Sequence, residues 1–435
     1  MESSDRYSLP VGQFVAGVSS SFPRPGRQHT LESAIEKRIE LTVKPANATS
    51  DGGFTGDGFV EFRVMGCPGQ LLDLSELVLD IEGYVVMGDG TVAADDSDVQ
   101  LTNLAMCTLI RSVAVYLNNV QVDTVTSYGY SSYIRTLLNT PAWREHNTLK
   151  MMGYTGLGMY SKLTQTAIDA SKGRNVTSFA FLAPLCVDIA SCDGYLLDNV
   201  DVRIRLELAS DKFVLNTCTP TSAPRYKLTK TDLRVTKLKP MDNAIQALSN
   251  QLEKVPQVYV FDKTMYCSRP VAVGQTRVTI DNPFGKVIPS KMWFSLVGMA
   301  RTLGVYNMNS VYFHHEGIRK LDVLLDNELV YSLYYDWVKK RYLEAYGQFV
   351  RCAGTGHAPL VTYDNFGEGS TIHLLSLTPE VVGDDVIQIE REGQMRVSIE
   401  LGSAPSENLL LMLYGQTQGT LSVDRDRNVL VDVRQ

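Results

Sequence analysis

Along most of the chain, apolar and polar positions alternate with a period of two. Apolar residues recur at Leu77, Leu79 and Ile81, and again at Val113, Val115 and Leu117. Val202-Arg-Ile-Arg-Leu-Glu-Leu208 and Leu233-Arg-Val-Thr-Lys-Leu238 follow the same rule, and Phe59 to Val64 and Phe179 to Leu182 are short apolar runs. This period sends successive side chains to opposite faces of a strand, one buried and one wet. A second β-rich set follows Pro256: Val258–Phe261, Val278–Ile280, Met292–Val297, Leu321–Leu325, Ile387–Ile389, Met395–Leu401 and Leu409–Tyr414. Helical texture is confined to Tyr128–Leu138, Asp242–Leu252 and Leu333–Phe349.

The pattern repeats. Val115-Tyr-Leu-Asn-Asn-Val-Gln-Val122 lines up with Val323-Leu-Leu-Asp-Asn-Glu-Leu-Val330. Each reads as a strand, a tight Asn-Asn or Asp-Asn turn and a returning strand. Each leads into an aromatic, helix-like stretch. Further on, Arg203-Ile-Arg-Leu-Glu-Leu208 lines up with Arg396-Val-Ser-Ile-Glu-Leu401. The order is kept and the spacing differs by one loop's worth, which predicts a duplicated β domain. A half of this size, with few helices, fits an eight-stranded jelly roll. The predicted fold class is therefore all-β with a few short loop helices, two jelly rolls in tandem.

The 435 residues allow two or three domains. Residues 1–50 are broken up by Ser, Pro and Gly, with one short amphipathic stretch at Leu31–Ile39, and read as an extended arm. The expected body is a first roll at 51–218, a connector at 219–256 that holds one strand, and a second roll at 257–422. A tail covers 423–435.

Composition narrows the class. Hydrophobic residues make up 44% and charged residues 20%, as in a globular protein. The net charge of −7 argues against coating nucleic acid by charge alone. Apolar runs reach strand length and fall short of the ~20 residues of a membrane helix. The seven cysteines form no Cys-x-x-Cys and read as free thiols in a reducing compartment. The opening Met-Glu-Ser-Ser-Asp-Arg lacks an apolar signal core, so synthesis in the cytosol is expected. The sequons at Asn47 and Asn175 then read as chance matches.

Phe59-Val-Glu-Phe-Arg-Val-Met-Gly-Cys-Pro-Gly-Gln-Leu-Leu-Asp-Leu-Ser-Glu-Leu-Val-Leu-Asp-Ile81 resembles the opening strands of a hexon-like family. So do Asn118-Asn119 with the tyrosine-rich run to Leu138, Cys192–Val200 before a charged strand, and Asp281-Asn-Pro-Phe284. The family is the double jelly-roll major capsid proteins of adintovirus, Polinton-like and adenovirus-type viruses. The resemblance spans about residues 55–420 and is carried by strand-turn patterns. It implies a homotrimeric, pseudo-hexameric capsomer in an icosahedral virion, built with penton and minor capsid proteins. It also implies short tower loops. The arm lies outside the resemblance; its Ser, Pro and Gly texture leads to the expectation that it orders only against neighbouring subunits, minor proteins, an internal membrane or genome.

No phosphate-binding loop and no His-Glu-x-x-His motif is present. His314-His315-Glu316 reads as a surface or interface pair at a strand end, because adjacent strand residues point to opposite faces. The loop Gly354–Pro359 has no nucleophile partner for its histidine. Asp95, Asp96 and Asp98 lack the rest of a calcium loop and read as an exposed acidic loop. Arg24, Arg27, Lys37 and Arg38, with Arg425 and Arg427, read as solvated or subunit-contact groups. The dense aromatics suit core packing and subunit contact equally. The candidate contact residues are Tyr128, Tyr130, Tyr133, Tyr334, Tyr335, Trp337, Tyr342 and Tyr346. No cofactor, metal or catalytic residue is expected. Two rival readings stand beside the capsid subunit: a receptor-binding spike, penton or lectin-like protein, and a β-sandwich glycoside hydrolase. The second needs paired carboxylates in an aromatic cleft, and the chain has three tryptophans, Trp143, Trp293 and Trp337.

Overall fold

The structure is a computed structural model, and it describes residues 34–47, 53–94, 97–157, 160–161, 177–192, 194–353, 359–377 and 391–432. Asp95, Asp96, Asn175, the loop 354–358, the strand expected at Ile387–Ile389 and the start of the arm lie outside these residues.

Sixteen strands build two copies of one topology. The first half contains β1 (Ile35–Val43), β2 (Phe59–Val64), β3 (Leu71–Val86), β4 (Ile110–Leu117), β5 (Val120–Val125), β6 (Ser178–Pro184), β7 (Val202–Leu208) and β8 (Arg225–Pro240). The second contains β9 (Gln257–Val271), β10 (Arg277–Asp281), β11 (Lys291–Gly298), β12 (Ile318–Leu325), β13 (Glu328–Tyr334), β14 (His373–Ser376), β15 (Met395–Leu401) and β16 (Leu409–Val423). In the first half the sheets run β1-β8-β3-β6 and β2-β7-β4-β5; in the second they run β9-β16-β11-β14 and β10-β15-β12-β13. Adding eight to each strand number of the first half gives the second. Each half is thus an eight-stranded jelly roll of two facing antiparallel sheets. Among the described residues, three longer helices decorate them: α1 (Tyr128–Asn139), α2 (Asp242–Leu252) and α3 (Leu343–Cys352). No helix of the described residues is long and apolar enough to cross a membrane.

The duplicated hairpin has matching backbone geometry. Asn118 and Asn119 sit at φ 45° and 68°, and Asp326 and Asn327 at 50° and 68°. Two successive positive φ values make the tight turn that suits twisted strands, and Asn and Asp tolerate them. Both hairpins carry a register shift just before the turn, at Val115/Tyr116 and at Val323/Leu324.

Four expectations change. Residues expected in the arm form β1, which pairs along β8 from Val43↔Leu233 to Ile35↔Pro240. The single strand expected in the connector is β8, which lies between β1 and β3 and completes the first roll. The strand expected to stop at Tyr414 continues to Val423 as β16, paired with β9 throughout. Gly415 and Gly419 hide that continuation in the sequence. A Cβ at Gly419 would lie 2.8 Å from the Phe261 ring, so the aromatic occupies the space a side chain would need. The expected tail folds as well. Val429–Asp432 forms β17, which pairs with the end of β16.

The turn geometry is directly testable. Asn119→Val and Asn327→Val place a β-branched residue at φ 68° and are expected to cost about 1–2 kcal/mol each, read as a lowered unfolding midpoint. Asn→Gly at either site is expected to be close to neutral.

Candidate assembly interface

The chemistry-bearing side chains gather at the seam between the rolls and in an aromatic cap on the second roll. The seam is built around α1, which follows β5 after a two-residue turn. Its residues Tyr128, Tyr130, Tyr133, Ile134, Leu137 and Leu138 are all buried. Ser131, Ser132 and Thr136 are buried as well, so the helix is enclosed on nearly every side. Here the second roll completes the enclosure. Tyr130 packs edge-on against Phe213 and Phe313, at 5.5 Å and 6.0 Å between ring centres, and its hydroxyl donates to the Ser310 carbonyl at 3.0 Å. Tyr133 lies 5.8 Å from Phe313 and accepts from Asn103. Tyr128 stays within the first roll and accepts from the Cys186 N–H.

Polar struts cross the seam beside this helix. Arg135 pairs with Asp188 at 2.7 Å. Asp188 also accepts from the Thr264 N–H at 2.7 Å and from its hydroxyl at 3.1 Å. Asp123 accepts from the N–H groups of Asp188 and Ile189 and so fixes the loop that carries Asp188. Ser191 accepts from the Asp262 N–H, while the Tyr259 hydroxyl donates to Tyr195 and accepts from the Leu197 N–H. Arg427, expected to be solvated or at a subunit contact, instead clasps Asp198 through both carboxylate and carbonyl contacts. Asn118 donates to the Arg427 carbonyl at 2.9 Å. At another point of the seam the backbones touch. Gly304, at φ 84°, would bring a Cβ within 2.7 Å of Lys212 and Phe213 main-chain atoms.

Burial raises both seam carboxyls. Asp123 is pushed up to about 7, first by burial and then by the charge of Asp188. Asp188 is also raised, because burial outweighs Arg135. The cleft that Asp123 and Asp188 border has a volume of about 610 Å³ and contains one aromatic, Phe261. Both carboxylates are occupied as struts between backbone segments, a poor match to the paired acid and base of a glycosidase.

The second aromatic segment builds a cap, and it departs from the expected helix over Leu333–Phe349. Tyr334 ends β13, the chain then turns through an Asp336–Arg341 bridge with Lys340 at φ 52°, and α3 starts only at Leu343. Trp337 stacks between His315 at 4.2 Å and Tyr342 at 4.9 Å and donates to the Ile318 carbonyl. Tyr335 shares a hydrogen bond with His373 at 3.0 Å, and Tyr346 donates to Val361. Of the eight aromatics expected at subunit contacts, Tyr334 alone is exposed. The others pack within the chain, because rings on a β-rich scaffold gain more from enclosure than from water.

The histidine pair, expected at a strand end, lies outside any strand. His314 and His315 lie in the loop before β12 with ring centres 3.9 Å apart, and each Nδ1 accepts a backbone N–H two residues on. Burial lowers His315 to about 4 and His373 to about 3, with a neighbouring histidine contributing less. Asp98 accepts from Thr217 and Thr219 and is therefore a loop strut, not an exposed acid. None of the seven cysteines forms a disulfide, and no group of three potential metal ligands exists among the described residues.

Two outcomes test the seam. Arg135→Ala leaves Asp188 buried without its ion pair and is expected to cost about 3 kcal/mol. Asp123 has a folded pKa above its unfolded value, so its penalty is absent below pH ~4 and complete above pH ~7. Asp123→Asn is therefore expected to gain on wild type by on the order of 2 kcal/mol between pH 4 and 8. A pH-independent difference in unfolding midpoint would contradict this.

No model of a protein family matches the chain, and no curated protein matches it. Solved structures do. PBCV-1 VP54, fitted into a reconstruction of the virophage Sputnik, superposes with a TM-score of 0.59 at 11% identity, covering 95% of this chain and all of that one. The Faustovirus major capsid protein gives 0.57 at 9% identity, covering 92% and 93%. The mavirus major capsid protein gives 0.53 at 11%, covering 100% and 95%. Over nearly its whole length, this chain has the double jelly-roll fold that these viral capsid structures share.

Proposed function

We infer that the chain is the major capsid protein of an icosahedral DNA virus, a structural subunit without catalytic function that assembles as a trimer. The observation that carries this reading is the eight-by-eight strand correspondence, with the two rolls locked edge to face. A shell of hexagonally packed units needs six similar lobes. One chain supplies two of them, and three chains around an axis supply all six. A cyclic trimer also closes, leaving no free interface of that type. The match in fold to capsid proteins over the full chain supports the same reading.

In this reading the subunit resides in the virion. Further partners are neighbouring capsomers, penton and minor capsid proteins, with membrane or genome contact through the N-terminal residues. A receptor-binding protein of the same fold would not need to tile, and a glycosidase would not tie up the carboxylates that border its cleft.

The test is the mass of the purified chain in solution at low micromolar concentration. Light scattering is expected to return three times 48.2 kDa. A monodisperse 48.2 kDa species would contradict the proposal.

A further inference from the structure

The corner where the two sheets of the first roll meet carries a pair of nucleophiles. The chain passes from β2 in one sheet to β3 in the other through residues 65–70. Cys67 lies in this loop and is half-buried. Lys237 faces it from β8, the strand between β1 and β3, and is 5% exposed. Its Nζ donates to the Cys67 Sγ at 3.1 Å and to the Met65 carbonyl at 2.7 Å. Among the described residues, no carboxylate forms an ion pair with Lys237. Buried charges are normally paired, so here the sulfur and one carbonyl oxygen stand in for a counter-ion. Both groups are held in place. Lys237 is in register with Leu72 on β3 and Ile39 on β1. The loop is pinned on its other side, where the Gly66 and Gly69 N–H groups donate to Asp201 and Asp198 at 2.7 Å and 2.9 Å. A Cβ at Gly66 would lie 2.6 Å from the Val200 nitrogen, so the loop already sits as close to that backbone as it can.

We propose that Cys67 and Lys237 form a peroxide-sensitive modification site, in which oxidation of the sulfur closes a covalent sulfur–nitrogen bond between the corner loop and β8. The co-reactant is a hydroperoxide, hydrogen peroxide in the simplest case. The thiolate is the form of cysteine that reacts, and the Lys237 ammonium donates to the sulfur that carries its charge. In the first step the Cys67 thiolate attacks one peroxide oxygen and the O–O bond breaks. The sulfur gives up two electrons and becomes a sulfenic acid. The leaving hydroxide takes a proton from the Lys237 ammonium and forms water, which leaves a neutral amine beside the sulfenic acid. In the second step the amine lone pair forms the S–N bond and the S–O bond breaks. The hydroxyl departs with one amine proton as a second water. Sulfenic acids condense in this way with neighbouring thiols and nitrogens. Other thiols are poorer targets. Burial pushes Cys107 up to about 12 and also raises Cys186 and Cys267. The new bond ties together residues 170 apart in the sequence and closes the first roll at its corner.

The experiment uses the full chain, reduced and then treated with hydrogen peroxide, with the remaining thiols blocked by iodoacetamide. Digestion and mass spectrometry are expected to show the Cys67 and Lys237 peptides joined, at a mass two hydrogen atoms below their sum, and separated again by dithiothreitol. The joined chain is expected to unfold on the order of 5 °C above the reduced chain, because the link closes a long loop of the unfolded state. Cys67→Ser is expected to lose both effects. Lys237→Arg keeps a donor to the sulfur but offers no amine to close the bond. It is expected to accumulate a sulfenic acid at Cys67 that dimedone labels, where the wild-type chain takes up little label. Oxidation of Cys67 to a sulfinic acid with Lys237 unmodified, or oxidation of another cysteine before Cys67, would overturn the proposal. Both of those results are read in the wild-type chain, so the test stands even if a variant fails to fold.

Discussion

The second roll burying a helix that the first roll cannot enclose alone is the contact on which the rest of the molecule depends. α1 buries Tyr130, Tyr133, Ile134, Leu137 and Leu138, and this apolar face needs a wall. Phe313 and the Ser310 carbonyl supply that wall. Once the helix is in place, Arg135 projects beside Asp188, and Asp188 reaches the Thr264 backbone of β9. Apolar enclosure provides the driving force, and the directional polar struts fix the angle. Charged groups out of water are costly unless paired, so the strut set holds one arrangement and penalises others. Two jelly rolls joined only by α2 and its flanking turns would otherwise be free to swing.

Fixing that angle is what converts a duplicated fold into a building block. With the two rolls held at one orientation, each chain offers two similar lobes in a fixed relation to one another. The Trp337 cap contributes by the same logic. Its stacked rings hold the turn at 336–341 in shape, so Val338 is presented on a firm support although it touches little itself.

Much of this was legible in the amino-acid sequence, for reasons particular to each element. The hairpins at Asn118-Asn119 and Asp326-Asn327 were readable because positive φ restricts which residues fit. β7 and β15 were readable because one sheet face is wet and alternation survives. β1 was not, because it is an edge strand with exposed residues on both faces and carries little apolar signal. β14 is four residues long and its first three are buried in succession, so it has no period to detect. The aromatic segments misled for a different reason. Tyrosine at high density signals packing but not against what, and only the fold shows that Tyr130 and Tyr133 face the chain's own second roll. The Asp123–Asp188 network was invisible because its members are far apart along the chain and meet only when the rolls dock.

The central claim is that one chain, through its two matching rolls, supplies two of the six lobes of a trimeric particle, and a three-dimensional reconstruction of the purified particle by electron cryomicroscopy tests it most directly. The account predicts six lobes around one axis with true three-fold and approximate six-fold symmetry. Successive rolls would then be related by rotations close to 60°. A monomeric particle, or a trimer whose rolls do not form six lobes around one axis, would contradict it.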